Sequence, residues 1–136
     1  MRRILWTVFA LVLMAGIAVG AMAATAGGGK SINVDASYSG KQVELSVGDS
    51  LVVTLASNVT TGYSWSLTGI SDESVLQKSG NQYIAPKTNL VGAGGQEVWT
   101  FKALKKGTST ISMGYSRPWE VGTPPIETFG LTVVVN

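Results

Sequence analysis

The stretch LVVTLASNVTTGYSWSLT, residues 51–68, decides the fold class, because it contains two alternating segments joined by a turn. Apolar side chains occupy every second position over residues 51–55 and again over residues 63–67. This spacing, with β-branched and aromatic residues, is typical of β-strands that bury one face. The connection at 58–62 contains an asparagine and a glycine, and both tolerate turn geometry. The stretch therefore predicts two strands with a short loop between them.

The same alternation continues along the rest of the chain. Its apolar positions are Val43, Leu45 and Val47, then Trp99, Phe101 and Ala103, then Ile111, Met113 and Tyr115, and finally Phe129, Leu131, Val133 and Val135. Turn-forming residues separate these segments at Ser39-Gly40, Gly48-Asp49, 69–72, Ser79-Gly80-Asn81 and Lys106-Gly107. About seven or eight short strands at this spacing predict an all-β sandwich with Greek-key connections, and a closed barrel is the lesser alternative. Since the chain has no cysteine, Trp65, Trp99 and Phe101 must fill the centre by packing alone.

The first 26 residues have the pattern of an export signal. Met1-Arg2-Arg3 is positively charged, residues 4–20 are apolar apart from Thr7, and Ala21-Met22-Ala23 and Ala24-Thr25-Ala26 both fit the A-x-A cleavage pattern. An uncleaved membrane anchor is the alternative, because the apolar run is nearly long enough to span a bilayer. We expect a signal peptide over residues 1–26, cleaved after Ala23 or Ala26, and a single domain over residues 27–136. That domain would be a secreted or periplasmic monomer without stable membrane association.

Net charge argues against two classes of partner. The full chain has ten Lys and Arg against eight Asp and Glu, and removal of Arg2 and Arg3 with the signal leaves eight against eight. A neutral mature chain has no electrostatic footprint for nucleic acid or for an anionic membrane surface. We therefore expect neither of these partners.

The absence of histidine and cysteine excludes most familiar catalysis. The chain cannot form a Ser-His-Asp triad, a Cys-His pair or a zinc site with nitrogen or sulfur ligands. The five Glu and three Asp are expected to lie on the solvated surface rather than to act as acid and base. No glycine pattern follows a strand and opens a helix, as a phosphate-binding loop would require. We predict that the chain is not an enzyme and uses no cofactor or metal.

Three turn segments have chemistry suited to contact with a partner. They are the threonine loop, Asn58-Val59-Thr60-Thr61-Gly62-Tyr63, the glycine loop, Gly92-Ala93-Gly94-Gly95, and the tryptophan loop, Arg117-Pro118-Trp119. In the threonine loop, the two threonines have restricted χ1 angles and carry hydroxyl groups. In the glycine loop, the backbone without side chains allows a partner to approach closely. In the tryptophan loop, Trp beside Arg is typical of a binding hot spot. Taken alone, each segment could be an ordinary turn. Trp119 could also belong to the core, although it lies beyond the alternating pattern.

In order and spacing, the three loops resemble those of the chagasin-like family of cysteine peptidase inhibitors. That family has an Asn-Pro-Thr-Thr-Gly-aromatic loop, a Gly-x-Gly-Gly loop and an Arg-Pro-Trp loop. The resemblance extends over the mature domain, through Trp99-x-Phe101-Lys102-Ala103, Gly107, Tyr115-x-Arg117-Pro118-Trp119-Glu120 and Pro125-x-x-Thr128-Phe129. One position departs from the pattern, since Val59 replaces the family's usual proline.

The resemblance implies an immunoglobulin-like sandwich that acts as a reversible, tight-binding inhibitor of papain-like cysteine peptidases. The threonine loop would approach the catalytic cysteine and histidine, and the other two loops would grip the cleft on either side. The residues expected to contact the peptidase are Asn58, Val59, Thr60, Thr61, Gly62, Tyr63, Gly92, Ala93, Gly94, Gly95, Arg117, Pro118 and Trp119. The alternative from another class is an exported immunoglobulin-like structural or adhesion module without inhibitory activity.

Overall fold

Eight strands and two short 3₁₀ turns form the part of the chain that the computed structural model describes, residues 29–88, 90 and 92–136. The strands are β1 (Ser31–Val34), β2 (Lys41–Leu45), β3 (Ser50–Ser57), β4 (Ser64–Ile70), β5 (Leu76–Ile84), β6 (Gly95–Ala103), β7 (Gly107–Ser116) and β8 (Glu127–Val135). The 3₁₀ turns are Ala36–Tyr38 and Val59–Thr61. Within these described ranges, no helix is long and apolar enough to cross a membrane. The expected signal peptide, residues 1–26, lies outside them.

The strands form two four-stranded sheets, in the orders β1-β3-β6-β5 and β2-β8-β7-β4. Strands β5 and β6 form an antiparallel pair, as do β7 and β8, while β3 pairs with the distant β6 and β4 with β7. The chain therefore crosses between the sheets after β1, β2, β3, β4 and β6. Strand β1 is parallel to β3, and β2 is parallel to β8. The predicted all-β, immunoglobulin-like sandwich with Greek-key connections is confirmed, and the closed barrel is not formed.

The core lies between the sheets and consists of the alternating apolar residues. On β3, Leu51, Val53 and Leu55 are at most 1% exposed. The expected inner aromatics also lie here, with Trp65 and Trp99 buried and Phe101 inaccessible to solvent. Each buried large side chain contributes about 1.5–3 kcal/mol relative to an exposed one. Packing of this kind stabilises the domain without a disulfide.

Two local predictions are wrong. Val47 does not continue the inward face of β2, because β2 ends at Leu45 and a turn begins there. Asp49 stabilises this turn by accepting a hydrogen bond from the Ser46 N–H. The predicted turn at Ser79-Gly80-Asn81 lies instead inside β5. Its pairing with β6 shifts register between Lys78 and Gly80, so a β-bulge accommodates the turn-favouring residues.

The expectation that every carboxylate is solvated is also wrong. Asp49 is 4% exposed and Glu97 is 7% exposed. Asp49 accepts hydrogen bonds from the backbone N–H groups of Lys30 and Ser46. Glu97, at the other end of the sandwich, accepts from the Ser57 hydroxyl and the Trp65 N–H. Buried carboxylates are tolerated where such hydrogen bonds compensate their desolvation.

Two valine substitutions test the assignment of the core. Val53→Ala should lower the free energy of unfolding by about 2 kcal/mol, because it removes two buried methyl groups and leaves a cavity. Val47→Ala, at a side chain that is 50% exposed, should change it by less than about 0.5 kcal/mol. Urea denaturation measures both values. Equal effects of the two substitutions would contradict the observed end of β2.

Candidate functional site

Strand pairing places the three loops at one end of the sandwich. The threonine loop (58–63) follows β3 and leads into β4, while the glycine loop (92–95) leads into β6 and the tryptophan loop (117–119) follows β7. Ser57 lies opposite Gly95 in the first sheet, and Ser64 lies opposite Ser116 in the second. These two pairings bring all three loops to the same edge of the molecule.

The threonine loop is a single 3₁₀ turn, Val59–Thr61, capped by Asn58. The Asn58 Oδ1 atom accepts from the Thr60 N–H at 3.1 Å and from the Thr60 hydroxyl at 2.6 Å. The Asn58 backbone carbonyl accepts from the Thr61 N–H at 3.1 Å and from the Thr61 hydroxyl at 2.6 Å. Asn58 therefore holds both threonine side chains in defined positions.

Val59 is the first residue of this turn, and its side chain is exposed. The backbone hydrogen bonds of the turn come from the N–H groups of Thr60, Thr61 and Gly62, so none of them depends on a donor at position 59. The first position of a helical turn suits proline for the same reason. The valine thus occupies a backbone site that is compatible with the proline usual in the resembling family.

The same asparagine joins the threonine loop to the glycine loop. Its Nδ2 atom donates to the Gly92 carbonyl at 2.8 Å. A Cβ atom at Gly94 would lie 3.6 Å from the Asn58 Cβ, which is an ordinary packing distance. Gly95 is the first residue of β6, where a Cβ atom would overlap the Ile84 carbonyl of β5, so close packing between strands explains this glycine.

Arg117 joins the tryptophan loop to the other side of the threonine loop. Its Nε atom donates to the Thr61 carbonyl at 3.1 Å, and its guanidinium carbon lies 4.5 Å from the centroid of the Tyr63 ring. Its Nη1 atom also lies 3.3 Å from the Glu120 carboxylate. The arginine charge is therefore paired with a carboxylate that lies one residue beyond the tryptophan loop.

Trp119 projects from the same loop and is 66% exposed. The expectation that it lies outside the core is confirmed. The edge of its indole rests against Gly62, where a Cβ atom would overlap the ring. Gly62 also has φ of +84°, a conformation that favours glycine. Position 62 therefore requires glycine both for its backbone and for the approach of Trp119.

An aromatic stack supports the threonine loop from below. The rings of Tyr63 and Tyr115 are 5.4 Å apart, and those of Tyr115 and Trp65 are 5.1 Å apart. The Tyr115 hydroxyl accepts from the Asn58 N–H at 2.9 Å. The stack links the guanidinium of Arg117 to the core, so the loop end is continuous with the rigid interior.

The structure thus brings the three predicted loops together through the pairs Asn58–Gly92, Thr61–Arg117, Gly62–Trp119 and Tyr63–Arg117. Val59 and Pro118 are exposed beside these pairs, and Ala93 is half-buried. Contact between these residues and a peptidase remains a prediction. Sequence reasoning missed the supporting roles of Tyr115 and Glu97. The sequence does indicate that Glu97 faces inward, because it lies an even number of residues from Trp99 and Phe101 on the same strand.

The pKa values of the Asp35 and Asp72 carboxyl groups are lowered, because hydrogen bonds from the Ser37 and Ser74 side chains stabilise the ionised carboxylates. In the part of the chain that the structure describes, no group of three His, Cys, Asp or Glu is placed to hold a metal ion.

Comparison with known sequences identifies relatives of this chain. Residues 44–133 match the family described as the chagasin family of peptidase inhibitors, I42. Amoebiasin-2 of Entamoeba histolytica is 32% identical over 94 residues, which cover 69% of this chain and 76% of the relative. Chagasin of Trypanosoma cruzi is 30% identical over 109 residues, which cover 78% of this chain and 99% of the relative.

Solved structures share the fold. The crystal structure of the cysteine protease inhibitor EhICP2 from Entamoeba histolytica matches with a TM-score of 0.71 and 28% identity, covering 79% of this chain and 96% of that one. PbICP-C, solved in complex with falcipain-2, matches with a TM-score of 0.53 and 21% identity, covering 82% of this chain and 92% of that one. The second likeness concerns the fold alone.

Two glycine substitutions test the contact between Gly62 and Trp119. Gly122 has the same φ of +84° as Gly62, but a Cβ atom there would meet no heavy atom within 4 Å. Both Gly62→Ala and Gly122→Ala should cost about 1–2 kcal/mol of backbone strain. Gly62→Ala alone should also displace the indole and shift the Trp119 side-chain N–H resonance in an NMR spectrum. An unchanged Trp119 resonance in Gly62→Ala would contradict close packing of the indole against Gly62.

Proposed function

The chain belongs to the chagasin family of peptidase inhibitors. We propose that it is a secreted, reversible, tight-binding inhibitor of papain-like cysteine peptidases. Its three loops fill the active-site cleft, with the threonine loop at the centre. The expectation that the chain is not an enzyme is confirmed, because the family is one of inhibitors.

One observation carries the proposal: the three loops form a single hydrogen-bonded surface. The Asn58 side chain binds the glycine loop at 2.8 Å, and the Arg117 side chain binds the threonine loop at 3.1 Å. Association costs free energy when loops must be ordered on binding, and a surface already ordered in the free protein avoids much of that cost. Protease–inhibitor interfaces bury about 800 Å² per partner and include some of the tightest known.

The hydroxyl groups of the threonine loop favour one orientation of hydrogen bonding toward a peptidase. The Thr60 and Thr61 hydroxyls both donate to oxygens of Asn58, so their own hydrogens are engaged. The orientation of the Asn58 amide follows from its partners, since Nδ2 faces a carbonyl and Oδ1 faces an N–H. The Thr61 oxygen accepts a long hydrogen bond from the Tyr63 N–H at 3.4 Å, and each threonine oxygen keeps a free lone pair with which it can accept from a partner. In a cleft that holds a thiolate–imidazolium pair, they suit the imidazolium, which donates.

The family assignment favours the inhibitor over the structural or adhesion module. The geometry supports the same choice, because an adhesion module does not require three loops to be joined by hydrogen bonds at one end. Secretion is supported by the sequence of residues 1–26, with its positive start, apolar run and two A-x-A sites. The mass of the exported chain decides between cleavage after Ala23 and after Ala26.

Titration of papain with the purified mature domain tests the proposed function. We expect stoichiometric loss of peptidase activity, full recovery of activity on dilution and an inhibitor of unchanged mass after long incubation. Nothing in the threonine loop supplies a thiol or an electrophile for a covalent bond. No inhibition at micromolar concentration would favour the structural module. Cleavage within residues 58–63 with loss of binding would indicate a substrate-like mode instead.

Trp119→Ala should weaken inhibition of papain by about 2 kcal/mol or more, the range of an aromatic hot spot. The melting temperature should hardly change, because the side chain is 66% exposed. Leu104→Ala is the control, since Leu104 is also exposed, at 41%, but follows β6 at the end opposite the loops. A large loss of stability in Trp119→Ala with unchanged inhibition would contradict the proposed role of the tryptophan loop.

A further inference from the structure

A buried carboxylate lies directly beneath the threonine loop. Glu97 is on β6, where its side chain faces inward like those of Trp99 and Phe101, and it is only 7% exposed. A side chain so deeply buried cannot form part of the contact surface. Its role therefore depends on what it binds inside the domain.

One oxygen of Glu97 joins the two strands that carry the threonine loop. Its Oε2 atom accepts from the Ser57 hydroxyl at 2.7 Å and from the Trp65 backbone N–H at 2.9 Å. Ser57 is the last residue of β3, and Trp65 is the second residue of β4. These strands belong to different sheets. The carboxylate thus connects the sheets at the two points where the loop begins and ends.

A second contact spans the same gap. The Trp65 indole N–H donates to the Ala56 carbonyl of β3 at 3.0 Å. Trp65 therefore binds the opposite sheet through both its backbone and its side chain. Only the backbone contact depends on Glu97, so a change at position 97 can alter the loop while the indole still packs in the core.

Hydrogen-bonding requirements explain why an acidic residue occupies this position. The N–H of Trp65, on the edge strand β4, donates to the carboxylate from the facing sheet. An apolar residue at position 97 would leave this buried N–H without an acceptor. The free-energy cost of a buried unsatisfied donor is larger than the net stabilisation that its hydrogen bond provides. A charged acceptor also forms shorter and stronger hydrogen bonds than a neutral one.

We infer that Glu97 is a positioning residue for inhibition: its carboxylate holds β3 and β4 at the spacing that presents Thr60 and Thr61 to the peptidase cleft. This inference rests on the proposed function. It adds to that function a residue that the peptidase never contacts.

Three variants at the carboxylate and its partner test the inference with papain as the probe. Glu97→Leu, which removes both hydrogen bonds at similar volume, should raise the inhibition constant about ten- to a hundredfold. Glu97→Gln restores an acceptor oxygen and should return the constant to within about threefold of the parent value. If Glu97→Leu does not fold, Ser57→Ala provides the test, because it removes one of the two bonds and should raise the constant by a smaller factor.

Asp49→Asn is the matched control. Asp49 is also a buried carboxylate that accepts two hydrogen bonds, but it lies at the end opposite the loops. Its substitution should lower the melting temperature and leave the inhibition constant of the folded protein unchanged. Equal loss of inhibition in Asp49→Asn would show that general destabilisation, rather than positioning, explains the effect at Glu97.

A double-mutant cycle separates action through the loop from other effects. In a Thr60→Ala/Thr61→Ala background, Glu97→Leu should have little further effect on the inhibition constant. In the free protein, Glu97→Leu should shift the backbone amide resonances of the threonine loop, and Asp49→Asn should not. An unchanged inhibition constant in folded Glu97→Leu, or a full effect in the double-alanine background, would overturn the inference.

The outcomes for the two proposals are distinct. If the parent domain does not inhibit papain, the proposed function fails and the inferred role in inhibition fails with it. If the parent domain inhibits and the Glu97 and Ser57 variants inhibit equally well, only the inference fails.

Discussion

The register of β3 against β6 is the constraint on which the rest of the structure depends. Leu51, Val53 and Leu55 face the core in the observed pairing, which also sets Ser57 opposite Gly95. Because side chains alternate between the faces of a strand, a slip of one residue would turn this apolar face toward solvent. The same slip would separate the threonine loop from its partners in the glycine loop. Burial of the core thereby also determines the geometry of the candidate site.

Rigidity at the loop end comes from hydrogen bonds and packing, since the chain has no cysteine for cross-links. Asn58 is the central residue, because it caps its own turn, holds both threonine hydroxyls and binds the Gly92 carbonyl. Arg117 supports the opposite side through the Thr61 carbonyl and the Tyr63 ring. A surface preorganised in this way loses little conformational entropy on docking. An inhibitor that fills a cleft without chemistry of its own needs this property.

The two buried carboxylates show a common use of charge inside the sandwich. Asp49 and Glu97 lie at opposite ends, and each accepts a hydrogen bond from a backbone N–H at or next to the beginning or end of a strand. Buried ionised groups are costly unless fully hydrogen-bonded. At these positions the alternative is an unsatisfied backbone donor, which is costly as well. The two carboxylates therefore act as hydrogen-bond acceptors for backbone N–H groups to which no neighbouring strand supplies a carbonyl.

The sequence by itself determined the sandwich class, most of the core and the three candidate loops, because each depends on local chemistry. Alternation marks buried faces, and glycine, asparagine and proline mark turns. The predictions from sequence were wrong for Val47, which lies beyond the end of β2, and for Ser79-Gly80-Asn81, which lies at a bulge inside β5. Both features depend on partners distant in the chain. Only the tertiary structure decided that Asn58 binds Gly92, that Trp119 rests on Gly62 and that Glu97 binds Ser57. Those contacts join residues more than thirty positions apart, and they form only when strand pairing brings the loop-bearing ends of both sheets together.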